Sequence, residues 1–385
     1  MLNSRGNHAI GAAMADANGS TRFYDSREKY RLYATTTNEK WAIAQRVGRE
    51  LPLLEPKPPA LRVFDAGMGD ATVLSLVMRQ LHERHPTVPQ LVVAKEISLE
   101  DVRLGLEHLA DRFVEHPMTV LVLTNMYFRD ATRLIPRKDP ALLKWFDVAL
   151  HGASGHAFDV QIRALASVLA DGWRIELDPA GNPHPAYPFA LVMYRADHRF
   201  VLDRVIPRKG QPLDGFDLVI ASQPYRARTP AERKVRLVLA PLAEALAPDG
   251  RMVAVQSYGH DAGMEVVRAL WPDEDPFQTP RAMLIDELRR AVADDDGLKA
   301  DPGTDGDSLF RYEMHALSSE LSATIGTSAA IAAFNAACYV AQIDEPRFRQ
   351  AISTDVYFDA TCRILQKHGG LWFTDESFIV RRRAR

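Results

Sequence analysis

Apolar residues along this chain alternate between short unbroken runs and longer stretches spaced three and four apart, and the alternation starts at Leu61. LRVFDAG reads as a buried strand ending at Gly67, and ATVLSLVMRQLHERH as a helix closed by Pro86. QLVVAKEI is a second strand, SLEDVRLGLEHLADRF a helix with Ser98 as N-cap, and MTVLVLTN a third strand. Parallel neighbours need crossover helices, so this βαβαβ order predicts an α/β, Rossmann-like doubly wound sheet that binds ligands at the carboxyl ends of its strands.

Beyond the third strand two segments compete for the fourth and fifth positions. One runs through WFDVALHGASGHAFDVQIRALASVLADGWRIEL and the other through FDLVIASQPYRARTPAERKVRLVLAPLAEALAPDGRMVAVQS. The second is favoured, because FDLVIA is the better buried run and the Asp249-Gly250 turn leads directly into RMVAVQS. The expected organisation is then a lead at 1–20, an N-terminal helical lid at 21–58, the first half of the core at 59–130, an inserted α+β subdomain at 131–213, and the second half of the core with helical additions at 214–385. Within the insertion, FALVMYR and RFVLDRVI read as hairpin strands. ADDDGLKADPGTDGD reads as an acidic loop, LFRYEMHAL as a strand, 326–367 as mostly helical, and GGLWFTDESFIVRRR as a closing strand or hairpin.

Composition narrows the function classes. With 46% hydrophobic and 25% charged residues the chain has ample material for a large core, and a formal net charge of −3 gives no whole-protein field to gather nucleic acid. The basic run at Arg381, Arg382, Arg383 and Arg385 reads as a solvated tail. Two cysteines, Cys338 and Cys362, form neither a disulfide framework nor a zinc motif, which fits a cytoplasmic protein without a metal site. The apolar stretch TSAAIAAFNAACYVAQI is short and interrupted by Asn335, so it reads as a buried helix rather than a membrane span. Residues 1–20 lack the apolar core of a signal peptide and read as a flexible lead.

The candidate chemistry centres on VFDAGMGDA, residues 63–71, where a buried strand ends in Asp65 and Gly67 and Gly69 precede a helix. Glycines there can take positive φ and admit a ligand against the backbone. A dinucleotide fingerprint asks for a third glycine where this chain has Thr72, and Asp65 with Asp70 would repel a pyrophosphate while suiting a cation. The turn resembles motif I of the class I S-adenosylmethionine-dependent methyltransferases, an acidic residue followed by Gly-x-Gly, with Ala71 at the third small position. The resemblance implies that Asp65 lies near the methionyl amino group, that Gly67, Met68 and Gly69 line the cofactor, and that Glu96, closing the second strand, holds the ribose hydroxyls. By the same resemblance Ile97 covers the adenine and Asn125 meets its edge, with Asp130 as a competitor. S-adenosylmethionine would be the cofactor and S-adenosylhomocysteine the product.

SQPY, residues 222–225, resembles a departed form of the family's motif IV, with Ser222 and Gln223 where the family has Asn or Asp and a first proline. That departure puts a planar amide or base acceptor in doubt. Ser222 is assigned to the cofactor, Gln223 and Tyr225 to the substrate, and Tyr225 also to catalysis through a wall or cation-π contact. Tyr24, Tyr30 and Tyr33 cluster where many family members place a lid, with Tyr24 and Tyr33 expected at the substrate and core packing as the alternative. HGASGH carries His151 and His156, of which His156 is the candidate general base. The expected activity is direct methyl transfer to an N or O nucleophile of a small molecule, with no membrane or nucleic-acid partner; a homodimer is compatible. The alternatives are a nicotinamide-dependent oxidoreductase, a protein or nucleic-acid N-methyltransferase, and a scaffold without turnover.

Overall fold

The computed structural model describes residues 27–177, 183–315 and 327–383. Its strands are β1 (Leu61–Asp65), β2 (Gln90–Lys95), β3 (Thr119–Thr124), β4 (Lys144–Leu150), β5 (Ile175–Leu177), β6 (Pro183–Pro185), β7 (Phe189–Arg195), β8 (Phe216–Ser222), β9 (Leu246–Ser257), β10 (Leu298–Asp301), β11 (Leu309–Glu313) and β12 (Trp372–Arg382). The main sheet runs β10-β12-β9-β8-β1-β2-β3-β7-β4, with β11 also paired to β12. β3, β2, β1, β8 and β9 are mutually parallel. This 3-2-1-4-5 succession is that of a doubly wound Rossmann-like sheet, whose switch point lies between β1 and β8. The resemblance read from VFDAGMGDA implied this architecture, and the strand order bears it out. Of the two segments competing for the central positions, the second supplies both β8 and β9.

Burial explains the choice. QLVVAK and TVLVLT are buried at every position, as strands covered by helices on both faces must be. One face packs on α2 (Glu39–Gly48), α3 (Thr72–Arg84) and α4 (Leu99–Leu109) through Val47, Leu74, Val77 and Leu106. The other face packs through Val238, Leu242, Leu284 and Leu288 of the helices that follow β8 and precede β10. Ser98 caps α4 as expected, accepting from Asp101 N at 3.2 Å.

Within the segment 131–213, FALVMYR and RFVLDRVI do not pair as hairpin strands, and β5 and β6 form a separate antiparallel pair. FALVMYR is β7, buried throughout, and it joins the main sheet antiparallel to β3; β4 pairs parallel to β7 beyond it. A strand buried on both faces needs covered partners, and the open side of β3 supplies them. RFVL is a short helix, Arg199–Leu202, rather than a strand. The acidic loop likewise contains β10, paired antiparallel to β12. Helices Ala262–Leu270, Thr327–Val340, Glu345–Ser353 and Val356–His368 gather around Phe334, Phe348 and Tyr357 and meet α1 (Arg27–Thr36) through Tyr33. Among the described residues no helix is long and apolar enough to cross a membrane. The expected lead at 1–20 lies outside the described residues.

Candidate functional site

The turn after β1 sits at the switch point. Asp65, 2% exposed, closes the strand, and its Oδ1 accepts from Gly67 N at 3.1 Å. Burial, reinforced by the nearby charge of Glu96, pushes its carboxyl up to about 7 against the donation from Gly67. Gly69 takes φ 54° and Ala71 φ 61°, so the left-handed residues are Gly69 and Ala71; Gly67 has no positive φ. Gly67 matters for space instead, since it is exposed and a Cβ there would meet no atom within 4 Å.

The backbone donors of this turn are almost all spent inside the protein. Gly67 N goes to Asp65, Met68 N to Lys95 O at 3.0 Å, Gly69 N to Glu96 Oε2 at 2.9 Å, Ala71 N to Met68 O at 2.9 Å and Thr72 N to Asp70 Oδ1 at 3.1 Å. Glu96 also accepts from Ile97 N at 2.7 Å and Ser98 N at 2.9 Å, while Trp173 Nε1 donates to its carbonyl at 2.7 Å. A carboxylate offers about four acceptor sites, so the expected two-bond grip on a ribose is reduced to one open site. Ile97, 40% exposed, stands free to cover a planar ring.

Several expected residues turn out to be structural. Met68 is buried, and its Cε would lie 2.9 Å from a Cβ at Gly105 of α4, so its side chain wedges the turn against the helix. Asn125 is buried and fully donating, to Gly172 O at 2.9 Å and Tyr187 O at 3.1 Å, while its Oδ1 accepts from Phe189 N at 2.8 Å. It anchors the start of β7, a task set by a strand far along the chain, and is not left for an adenine edge. Its competitor Asp130 accepts from Arg137 Nε at 2.9 Å. Tyr33 is buried, donates to Tyr312 Oη at 2.9 Å and stacks on Tyr339 with centroids 4.6 Å apart, so core packing holds it away from a substrate.

His156 is exposed on the helix Gly155–Arg163 that follows β4. β4 lies four strands from β1, about 19 Å at ordinary strand spacing. Because β7 reverses direction against β3 and β4 follows β7, the HGASGH loop opens at the opposite end of the sheet from Asp65. Neither His156 nor His151 can act at the turn. Tyr225 packs its ring against the core, 4.7 Å from Lys234 Nζ, and its buried, unpartnered hydroxyl lines a pocket together with Gln223, Gln256, Ser257 and Thr279.

Other expectations do converge on the crevice. Ser222 ends β8 beside β1, and Gln223 follows at φ 49°, its Nε2 3.0 Å from Ser257 Oγ. α1 brings Tyr30 over the turn, with its hydroxyl 3.3 Å from where a Gly69 Cβ would stand and accepting from Lys40 Nζ at 3.0 Å. Lys40 is also ion-paired with Asp70, whose carboxyl it holds below the usual range against the opposing effect of burial. Sequence reasoning missed Lys40 and Trp173, because neither carries a local signal and each is defined by a partner in another element. Tyr24 lies outside the described residues. Among the described residues no group of histidine, cysteine and carboxylate side chains could hold a metal ion.

No family model and no curated protein matches the sequence. Among solved structures, the chain is similar to a provisionally assigned sarcosine dimethylglycine methyltransferase from Galdieria sulphuraria, at 8% identity and a TM-score of 0.36, over 88% of this chain and 85% of that one. A provisionally assigned O-methyltransferase from Klebsiella pneumoniae aligns at 9% identity and a TM-score of 0.31, over 94% and 91%. A geranyl diphosphate methyltransferase, solved with GPP and sinefungin, aligns at 10% identity and a TM-score of 0.32, over 88% and 78%. Superpositions at these scores carry no functional weight, and the fold rests on the strand order above.

Proposed function

We propose that this chain is an S-adenosylmethionine-dependent methyltransferase that transfers methyl directly to a small-molecule acceptor. The observation that carries this reading is the use of the turn's backbone donors: the N–H groups of Gly67, Gly69 and Thr72 all end on protein carboxylates. A dinucleotide site keeps such donors for pyrophosphate. Here a phosphate would find few donors and three carboxylates, whereas a sulfonium nucleoside needs no phosphate cradle and gains from negative charge. That disfavours the nicotinamide alternative.

In this reading Asp65 faces the methionyl ammonium, Gly67 leaves room beside it, Ile97 lies on the adenine and the remaining acceptor site of Glu96 takes one ribose hydroxyl. When bound, the sulfonium supplies the electrophilic methyl. The chain's own contribution is to hold donor and acceptor in line and exclude water under Tyr30 and α1, which is a large part of the rate enhancement such a displacement needs. Ser222 and Gln223 close the crevice on the β8 side. The formal charge of −3 argues for a small acceptor over a nucleic acid, and two unpaired cysteines suit a reducing cytoplasm.

Calorimetric titration with S-adenosylmethionine, S-adenosylhomocysteine and NAD(H) tests the assignment. Binding of both adenosyl compounds and not of NAD(H) is expected. Binding of NAD(H) alone overturns it.

A further inference from the structure

On the face of the sheet away from α2 and α3, the carboxyl ends of β8 and β9 border a small polar pocket. Gln256 of β9, in register with Glu376 of β12, contributes one wall. Tyr225 follows β8, Lys234 closes the short helix Ala231–Lys234, and Thr279 stands just before the helix Arg281–Ala291. Thr279 ties the group together, since its hydroxyl accepts from Lys234 Nζ and its carbonyl accepts from Gln256 Nε2 at 2.8 Å. Gln223 and Ser257, which close the crevice on the β8 side, line this pocket as well, and Gln223 is exposed, so the pocket has a mouth on the crevice.

Three side chains of this pocket are buried with hydrogen-bonding capacity to spare. Gln256 is 6% exposed; its Nε2 donates to Thr279 O and to Glu376 Oε1 at 2.7 Å, yet its Oε1 has no partner. The Tyr225 hydroxyl is buried without a partner too, and burial, reinforced by the charge of Glu376, pushes it up, so it stays protonated and able to donate. Lys234 is 2% exposed, and of the three hydrogens of its ammonium one goes to Thr279 Oγ1. Among the described residues Lys234 forms no ion pair: Glu376 Oε1 is engaged by Gln256 Nε2 and by Arg281 N at 2.9 Å, and its charge reaches Lys234 only through space. Unmet buried polar groups are costly, and an oxygen and a hydroxyl on the walls of one pocket call for an occupant that answers both.

Resting on the methyl-transfer reading, we propose that this pocket anchors a hydroxyl group of the methyl acceptor, which takes hydrogen bonds from Tyr225 and Lys234 and gives one to Gln256 Oε1. A free volume of about 10 Å³ admits one water-sized group. A hydroxyl gives one hydrogen and takes two, which matches the three groups one for one. A carboxylate or a carboxamide brings too many heavy atoms for that volume, and a carboxylate also turns an acceptor towards Gln256 Oε1 and a negative charge towards Glu376. An ammonium has only donors to offer and meets the positive charge of Lys234. Position favours a substrate group over a structural water, because doubly wound sheets bind ligands past the carboxyl ends of their strands. β9 is two strands from β1, about 10 Å at ordinary strand spacing, so one small molecule can keep its hydroxyl here and its reacting atom towards the nucleoside.

The test uses the full chain. Calorimetry with S-adenosylhomocysteine comes first, and absence of that binding defeats the methyltransferase reading itself. Benzyl alcohol, benzylamine, benzoate and toluene are then titrated by NMR in the presence of S-adenosylhomocysteine, and crystals of that complex are soaked in each. Benzyl alcohol is expected to bind at least about fivefold tighter than the other three, with its oxygen seen between Tyr225, Lys234 and Gln256. Tyr225→Phe should weaken it about fivefold and Lys234→Met about tenfold, while S-adenosylhomocysteine affinity holds. Tyr225→Phe removes a buried hydroxyl that has no partner in the free protein, so its melting temperature should hold or rise, and this variant keeps the test open even if Lys234→Met does not fold. A structural water bound by that hydroxyl predicts a lower melting temperature instead. Water alone in the pocket of the soaked crystals, tighter binding of benzylamine or benzoate, or an unchanged benzyl alcohol affinity in Tyr225→Phe overturns the inference.

Discussion

Gly69 N donates to Glu96 Oε2 at 2.9 Å, tying the turn after β1 to the end of β2 across 27 residues of sequence. The same carboxylate holds Ile97 N and Ser98 N, so one side chain fixes both loops that border the crevice.

Replacing Glu96 with alanine leaves those three donors without their charged acceptor. Hydrogen bonds to a charged group are worth roughly 1.5–3 kcal/mol, so Glu96→Ala is expected to weaken S-adenosylhomocysteine binding by at least about tenfold. Glu96→Gln, which can accept but carries no charge, should fall between. Titration calorimetry of the three proteins checks the order, and equal affinities would remove Glu96 from the site.

Gly67→Val separates space from stability. A Cβ at Gly67 meets nothing of the protein, and the residue does not use positive φ, so the melting temperature should stay within a few degrees. Nucleoside binding should vanish, since the branched side chain fills the room left for the ligand. A variant that melts normally and binds normally would place the pocket elsewhere.

The carboxyl of Asp65, raised to about 7 by burial, predicts a pH dependence of binding. A cationic ligand favours the ionised form, so affinity for S-adenosylmethionine should rise by about tenfold per unit as pH approaches 7 from below, then level off. Asp65→Asn should flatten that limb. For stability of the free protein the sign is opposite: a raised carboxyl contributes most below its unfolded value and loses that contribution as pH climbs through about 7.

His82 and His116 give an acid limb of their own. Their rings stack with centroids 4.9 Å apart, both Nε2 atoms are buried without partners, and burial lowers both, His82 to about 3. The charges of His116 and Arg112 lower His82 further, although Glu115 Oε2 lies 3.4 Å from its Nδ1; His116 is lowered by burial against backbone hydrogen bonds at His85 and His116, with the charge of His198 adding to the lowering. The folded state therefore refuses protons that the unfolded chain accepts below about 6.5, and His82 alone should lower stability by up to about 1.4 kcal/mol per pH unit as pH drops towards 3, with His116 acting in the same direction. Denaturant unfolding of the protein and of His82→Gln across that range checks this, the variant showing the shallower decline.

Much of the core was legible because its signals are local. Unbroken apolar runs marked β1, β2, β3 and β8, helical spacing marked α3 and α4, and Ser98 announced its cap. The turn at Asp65, Gly67 and Gly69 was visible because a strand that ends in glycines needs no distant partner to be recognised. The misplaced residues share one cause. Asn125 looked available at a strand end until β7 arrived from 64 residues away to claim its amide. Tyr33 and Tyr30 were indistinguishable as neighbours on one helical face, and only packing against Tyr312 and Gly69 sent one to the core and the other to the crevice.

By itself, then, the sequence determined the central strands β1, β2, β3 and β8, the helices between the first three, and which bend leaves backbone open, since periodicity and the absence of a Cβ act within a few residues. Tertiary structure decided strand direction and neighbourhood: β7 runs against β3, which carries His156 to the far end of the sheet, and β12 lies on β9, which sets Asp375 beside a glutamine 152 residues earlier in the chain. Those outcomes depend on which sheet edge stays uncovered after every other element has packed, and no local pattern of side chains contains that information.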